Sequence, residues 1–392
     1  MNPLAPTART LFQGALAIFV VTIVIGILNG MDIWEPPREL LLTHVHAGTL
    51  GWITLAVVGA AMLLFGEGAD TADADRGRLI GTVTIAVTAL YVIAFATGTG
   101  IFRPIAGTLM LAAIIWVLIW ISGRYPKVAS NSPRLALMLA IVSLTIGAVL
   151  GVLLGLFMAR GSIPGLDNET AASLAGAHPP AMLIGYLILA GVAITDWLLA
   201  GPESRLGPIV AWALFGAGLV VNAAFILDQE ALIQAATLLE VIAIILFLVR
   251  MWSRIKPAAW REPSNDNFAR MSVVFLAVGI ALLVYVVQLI VSGELNPETG
   301  EGPIGVLLAF DHAMFIGVMT NVLFAAVART TGGSYSRPVM WAVNGGLTLF
   351  LLGLVLDVAI LKQIGAPVMG LALLWGVYFY LRQLTTGQPV AV

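Results

Sequence analysis

Residues 41–65 read LLTHVHAGTLGWITLAVVGAAMLLF, with two histidines at the start of an apolar run that is long enough to cross a bilayer as one helix. Sixty per cent of the 392 residues are hydrophobic, only 10% are charged, and the mean hydropathy is +1.00. Soluble domains carry roughly 25% charged residues, so this chain cannot cover a soluble surface. It is predicted to be a polytopic membrane protein in contact with the lipid bilayer. Its net charge of −2 gives no reason to expect a nucleic-acid partner.

Twelve apolar stretches of this kind are predicted to form an all-α bundle of transmembrane helices, a single domain over residues 1–392. The stretches lie near residues 10–30, 41–65, 78–98, 104–123, 134–158, 174–200, 206–227, 229–252, 269–292, 303–328, 338–360 and 365–383. The apolar run of the first stretch is too long for a signal peptide, and no Ala-x-Ala cleavage pattern follows it. We therefore expect this stretch to remain in the protein.

The lysines and arginines fall unevenly on the two sides of this bundle. If the N-terminus is placed on one side, that side holds 15 of the 19 basic residues. The other side holds Arg38, Arg103, Arg160 and Lys362. Because basic residues concentrate in cytoplasmic loops, both termini are predicted to be cytoplasmic, in a membrane of the bacterial inner-membrane type.

The four histidines are the candidate metal ligands, because the chain has no cysteine. His44 and His46 lie at the outer end of helix 2, His178 at the outer end of helix 6, and His312 in the outer half of helix 10. His46 and His178 are 132 residues apart, and His178 and His312 are 134 apart. This spacing predicts three approximate repeats of four helices, which would bring helices 2, 6 and 10 to equivalent places around a centre.

These histidines are predicted to bind metal, with haem b as the first candidate cofactor. Ionisable groups inside a membrane are costly and usually face a functional interior, and a neutral imidazole is a good ligand for haem iron. Because His44 and His46 are two residues apart, they point about 200° from each other on a helix, so at most one of them can share an iron with His312. The alternative is that each histidine is only a hydrogen-bonded residue near a helix end.

Twelve helices with histidines on helices 2, 6 and 10 resemble subunit I of the haem–copper oxidases and nitric oxide reductases. Ala177-His178-Pro179 resembles the Gly-His-Pro of that family's helix 6, where the histidine is a copper ligand. The resemblance implies that His46 and His312 are the two ligands of a low-spin haem. Phe310 stands at the family's position for the high-spin haem ligand, and helix 7 has no histidine for its copper pair. Oxygen reduction at a haem–copper centre is therefore not expected.

A smaller family is also similar: the NnrS-type haem- and copper-containing membrane proteins, which are linked to nitric oxide stress. The pattern that resembles their carboxy-terminal part consists of His312, Gly317, Met319, Arg329, Gly332, Gly333, Arg337 and Pro338. The His-x-His of helix 2 also has a counterpart there. Ser334 and Tyr335 stand where that family has a further histidine.

Three functions follow as hypotheses. The first is a haem b protein, with one haem and a second as a further candidate, that transfers electrons to or from a redox partner protein or handles a diatomic gas such as NO or O2. Arg38 and Arg103 are its expected partners for the haem propionates, because guanidinium groups hold carboxylates well. The second is a gas-reducing oxidoreductase with another metal site, copper included, at His44 and His178. The third is a twelve-helix transporter.

His178 is expected to be vestigial or hydrogen-bonded and to line the cavity beside the haem. Met182 lies one turn further along the same face, and His44 is the only other imidazole at that depth. Asp311 could act as an acceptor for a neighbouring histidine or pair with Arg103. Glu240, near the middle of helix 8, has no obvious partner in the sequence.

Overall fold

The computed structural model describes residues 2–98, 100–199, 204–261, 264–296, 300–332 and 336–386. Within these ranges the chain forms twelve helices that are long and apolar enough to cross a membrane, as the sequence predicts. They are α1 Ala5–Gly30, α2 Arg38–Phe65, α3 Thr71–Ala96, α4 Phe102–Lys127, α5 Ser132–Arg160, α6 Asn168–Leu199, α7 Leu206–Leu227, α8 Glu230–Ile255, α9 Asp266–Val291, α10 Ile304–Thr331, α11 Arg337–Val355 and α12 Ala359–Thr386. The end of the bundle at which α1 ends is called the outer end below.

The helix boundaries follow from local capping chemistry. Asp70 accepts a hydrogen bond from the backbone amide of Asp73 (2.7 Å), so α3 begins seven residues before the sequence-based boundary at 78. Asp167 caps α6 in the same way, and its bonds from the Thr170 amide and hydroxyl hold the pKa of its carboxyl below the usual value. Gly161 ends α5 with a φ of +70°, a backbone conformation that glycine adopts without strain.

The three histidine-bearing helices form the centre of the bundle. The most apolar windows of α2, α6 and α10 are 89%, 83% and 67% buried, whereas those of the other nine helices are 28–56% buried. The outer helices include three tightly packed neighbouring pairs, α4 with α5, α7 with α8, and α11 with α12, and α12 also packs against α1. The large apolar side chains on the outward faces of these helices suit contact with lipid.

Each central helix contains a π-helical segment shortly after its histidine. The segments are Ala47–Thr54 in α2, Ala181–Leu187 in α6 and Ala313–Thr320 in α10. Thr54 and Thr320 each donate a side-chain hydrogen bond to the carbonyl five residues earlier, at 2.9 Å. Segments of this kind are rare and occur frequently at functional sites.

Hydrogen bonds join the three π-helical segments where they meet. Trp52 of α2 donates through Nε1 to Oγ1 of Thr320 on α10 (3.0 Å). Tyr186 of α6 donates through its hydroxyl to Oγ1 of Thr54 on α2 (3.2 Å). Thr54, Tyr186 and Thr320 each stand eight residues after the histidine of their own helix, so the three helices contribute equivalent positions to the same contact layer.

Buried ion pairs hold the inner end of the bundle. Arg124 of α4 donates to Asp73 of α3 (2.7 Å), and Arg250 of α8 donates to Asp196 of α6 (2.9 Å). All four side chains are at most 12% exposed. Because an unpaired charge is costly at such depth, these pairs fix the lateral positions of the helices they join.

Candidate cofactor site

A cavity of about 470 Å³ lies between α1, α2, α10, α11 and α12. It runs from Asp32 and Lys362 at the outer end to Trp52 and Thr320 in the central contact layer. Its wall is mostly apolar; contributing side chains include Phe19, Ile23, Leu308, Phe315 and Met369. The volume falls within the range of about 300–1,000 Å³ that is usual for cofactor and small-molecule sites.

Two imidazoles, those of His44 and His312, line this cavity. His44 donates from Nδ1 to the backbone carbonyl of Thr22 on α1 (2.9 Å), and His312 donates from Nδ1 to the carbonyl of Leu308 (2.7 Å). A carbonyl oxygen can only accept, so each Nδ1 carries the proton and each Nε2 keeps its lone pair. The two rings lie close enough that a charge on one would act on the other.

Helix α1 fixes the position of the His44 ring. Thr22 accepts the bond from Nδ1 and also donates its hydroxyl to the backbone carbonyl of His44 (3.0 Å). Gly26 lies one turn further along α1, and a Cβ there would stand 2.9 Å from Cε1 of His44. The ring therefore rests directly on the backbone of α1, a fit that only glycine allows.

His312 is oriented by its own helix and by α11. The bond to the carbonyl four residues earlier fixes one side of the ring, and Phe350 meets it edge-on with a centroid separation of 5.0 Å. A hydrogen bond from one imidazole nitrogen to a carbonyl is the arrangement that orients metal-ligating histidines in proteins. Both candidate ligands of the cavity have it.

The structure brings His44, and not His46, together with His312. The His46 ring faces α3, where it stacks on Phe95 with centroids 3.9 Å apart and lies 5.6 Å from Tyr91. Its Nδ1 donates to the carbonyl of Leu42 (2.8 Å). The two histidines of α2 point in different directions, as expected from their spacing. Helix packing places His44, and not His46, on the side that faces α10. The pairing of His46 with His312 that the resemblance implies therefore does not describe this cavity.

His44 and His178 do not share a site either. His178 donates from Nδ1 to the carbonyl of Gly147 on α5 (2.8 Å), whereas His44 rests on α1. Met182 packs against the same glycine: a Cβ at Gly147 would stand 2.6 Å from its Sδ. The alternative of a second metal site built from His44 and His178 is thus not supported by their placement.

The cation of the cavity is Lys362 rather than either expected arginine. Arg38 is exposed at the start of α2 and is not among the lining residues. Arg103 lies over the Phe95 ring, 5.2 Å from its centroid, and donates to the Phe95 carbonyl (3.2 Å), away from Asp311. The sequence did carry a signal for Lys362, because it is one of only four basic residues predicted on the outer side.

Asp311 lines the cavity beside His312 and is half-buried. In the described part of the chain no hydrogen bond or ion pair joins it to Arg103, and each histidine Nδ1 donates to a backbone carbonyl instead, so neither of the two roles considered for Asp311 is formed. Its carboxyl group is a polar group of the cavity wall. Gly333, Ser334 and Tyr335, which belong to the carboxy-terminal resemblance, lie outside the described residues.

The imidazole donors of the cavity are those of His44 and His312, and the carboxyl groups of Asp32 and Asp311 also lie on its wall. Across the described ranges no group of three or more histidine, aspartate or glutamate side chains is placed to hold a metal ion. A zinc ion usually takes four protein ligands, or three with water. Two imidazoles would instead suit a metal whose remaining ligands come from a macrocycle, such as haem iron.

No protein-family model matches the chain, and a search of curated proteins found no relative.

Proposed function

We propose that this chain is a haem b-binding integral membrane protein in which His44 and His312 hold the haem iron. It resides in a membrane of the bacterial inner-membrane type with both termini in the cytoplasm. The single observation that carries this proposal is the placement of two imidazoles with unprotonated Nε2 atoms on one apolar cavity.

The lining of the cavity fits the group. Phe, Leu, Ile and Met side chains offer apolar contact to a macrocycle, and the cavity volume of about 470 Å³ leaves room for one. The propionates of a haem are carboxylates, and Lys362 offers them a cation at the outer end. A lysine acts there as a point charge, without the fork geometry of arginine.

Two protein ligands favour electron transfer over catalysis at this site. A bound haem would supply reversible one-electron chemistry. Both His44 and His312 would hold the haem iron, and a haem held by two imidazoles would transfer electrons rather than bind a substrate. His44 is held by α1 at two points, so gas binding at this cavity would require the release of an imidazole that the fold restrains. The haem would exchange electrons with a redox partner protein at the outer end. Handling of NO or O2 is the alternative function.

Absorption spectroscopy of the purified protein tests this directly. The reduced wild type should show the sharp α-band of low-spin haem, and His44→Ala and His312→Ala should each remove the same spectral component. The double variant should lose no more than either single variant. Leu371→Ala is the matched control, since Leu371 is 62% exposed on α12 beside the cavity-lining Gly370.

A wild-type protein without a Soret band would refute the proposal and favour the transporter hypothesis. Retention of the whole low-spin signal in both His44→Ala and His312→Ala would refute the assignment of the ligands.

A further inference from the structure

The arrangement that holds His44 recurs at His178. Each histidine donates from Nδ1 to a backbone carbonyl of the preceding helix, at Thr22 for His44 (2.9 Å) and at Gly147 for His178 (2.8 Å). In each case the residue one turn further along that helix is a glycine beneath the ring. A Cβ at Gly26 would stand 2.9 Å from the Cε1 of His44, and a Cβ at Gly151 would stand 2.7 Å from the Cε1 of His178.

The arrangement that holds His312 recurs at His46. Both donate from Nδ1 to the carbonyl four residues earlier, at 2.7 Å and 2.8 Å, and both stand directly before a π-helical segment. Each ring also meets an aromatic ring of the following helix. Phe350 of α11 lies 5.0 Å from His312, and Phe95 of α3 lies 3.9 Å from His46, centroid to centroid.

A cation completes each set. Lys362 near the start of α12 lines the first cavity, and Arg103 near the start of α4 lies over the Phe95 ring that stacks on His46. Arg103 and the His178 ring both lie near enough to His46 that a charge on either would act on it. The Nε of Arg103 is buried and has no hydrogen-bond partner in the part of the chain that the structure describes. Because a buried charged donor without an acceptor is costly, this N–H points to a carboxylate supplied by a ligand.

We propose that His46 and His178 hold a second haem, on the opposite side of α2 from the first. The groups of the second set come from five helices: α2, α3, α4, α5 and α6. In that order, these helices correspond to α10, α11, α12, α1 and α2 around the first cavity. His46 takes the part of His312, and His178 takes the part of His44. The proposal extends the proposed function from one cofactor to two and shares with it only the class of cofactor.

The chemistry of the second set is that of the first. Both rings carry the proton on Nδ1, so both Nε2 atoms are free to bind a metal, and both side chains are only partly buried. Phe95 and Tyr91 provide aromatic surface beside His46. The set again holds two imidazoles, and among the described residues no further histidine, aspartate or glutamate joins them in a metal-binding group. This favours a haem over a bare ion such as copper.

The arrangement does not recur a third time. Where α10 faces α9, the side chain over the glycine is a methionine: a Cβ at Gly279 would stand 2.7 Å from the Sδ of Met314. No further histidine remains in the chain to pair with it. The sequence therefore supplies imidazoles for two sites, and the His-x-His of α2 contributes one ligand to each.

Haem stoichiometry tests this proposal. The pyridine haemochrome assay, with iron and copper analysis of the same purified samples, should give two haems per wild-type chain. His44→Ala and His178→Ala should each leave one, and the double variant none. Gly151→Ala should also lower the haem content towards one, because its methyl group displaces the His178 ring. Gly155→Ala is the control one turn along α5, since its Cβ would lie 3.6 Å from Pro104, an ordinary contact.

The outcomes separate the two proposals. One haem in the wild type that is lost in His44→Ala and kept in His178→Ala overturns the second site and leaves the proposed function intact. One haem that is lost in His178→Ala and kept in His44→Ala supports the second site and overturns the first. Stoichiometric copper that disappears in His178→Ala overturns the assignment of a haem to this site. The number of haems per wild-type chain can be measured without any variant. The glycine variants add only a single methyl group, so they are expected to fold.

Discussion

Substitution of Gly26 by alanine tests whether α1 positions a ligand. The new Cβ would stand 2.9 Å from the Cε1 of His44. Carbon atoms in contact prefer about 3.5–4.0 Å, so the ring must move by about 0.6–1.1 Å or push α1 away. The bond from Nδ1 to the carbonyl of Thr22 opposes this movement. Disturbing the groups that orient a metal-ligating histidine typically costs about 10–100-fold in metal affinity. That range corresponds to about 1.4–2.8 kcal/mol.

The assay is the rate of haem transfer from the purified protein to an excess of apomyoglobin. Gly26→Ala should accelerate the release of one haem about 10–100-fold, and Val24→Ala, at a side chain 43% exposed on the same helix, should not. Alanine favours a helix over glycine by about 1 kcal/mol, so weakening of α1 could not explain the loss. Release at the wild-type rate, with an unchanged low-spin spectrum, would refute the contact between α1 and a haem ligand.

Three further predictions concern the bundle itself. Reporter fusions after Arg78 and after Gly300 should report opposite compartments, with the first in the cytoplasm, because the predicted topology puts these positions on different sides. Arg250→Met should lower the free energy of unfolding by about 3–5 kcal/mol, measured as thermal stability in detergent, because it leaves the Asp196 carboxylate buried without its guanidinium. Trp52→Phe should cost about 0.5–1.5 kcal/mol in the same assay, because the hydrogen bond from α2 to α10 is lost while the ring is kept.

Each of these has a matched control or a contrary result. Equal compartments for the two fusions would contradict the twelve-helix topology. Lys256→Met removes an exposed basic residue at the end of α8 and should leave thermal stability unchanged. If Trp52→Phe lowered the free energy of unfolding as much as Arg250→Met, the expected small contribution of the hydrogen bond between α2 and α10 would be wrong.

The twelve helices could be predicted because each contains an apolar run long enough to cross a bilayer, and the structure confirms twelve such helices within the described residues. Their ends were less predictable. The sequence-based start of α3 at 78 excluded an aspartate-rich segment that the structure places in the helix, because Asp70 caps it and Arg124 and Lys127 neutralise Asp73. Such cross-helix pairing cannot be seen in a window of local sequence.

The choice between His44 and His46 could not be made from the sequence. The part of α2 that follows them, residues 47–65, is apolar on nearly all sides, so no polar face there marks which side of α2 meets α10. The deciding features are tertiary: a glycine on α1 that admits the His44 ring, and an aromatic pair on α3 that receives His46. Glycine at position 26 carried no local signal, because the chain has 41 glycines.

The spacing of His44 and His46 takes on a different meaning once both are placed. Residues that are two apart on a helix point about 200° from each other, so only one of these two histidines could face a single site. In the structure α2 lies between two sets of equivalent groups: His44 shares a cavity with His312 on one side, and His46 faces Phe95 of α3 on the other. A helix shared by two sites must present one ligand in each direction, and His-x-His is a short spacing that does so. Movement of α2 would therefore disturb both sets together, whereas substitution at Gly26 or Gly151 disturbs one.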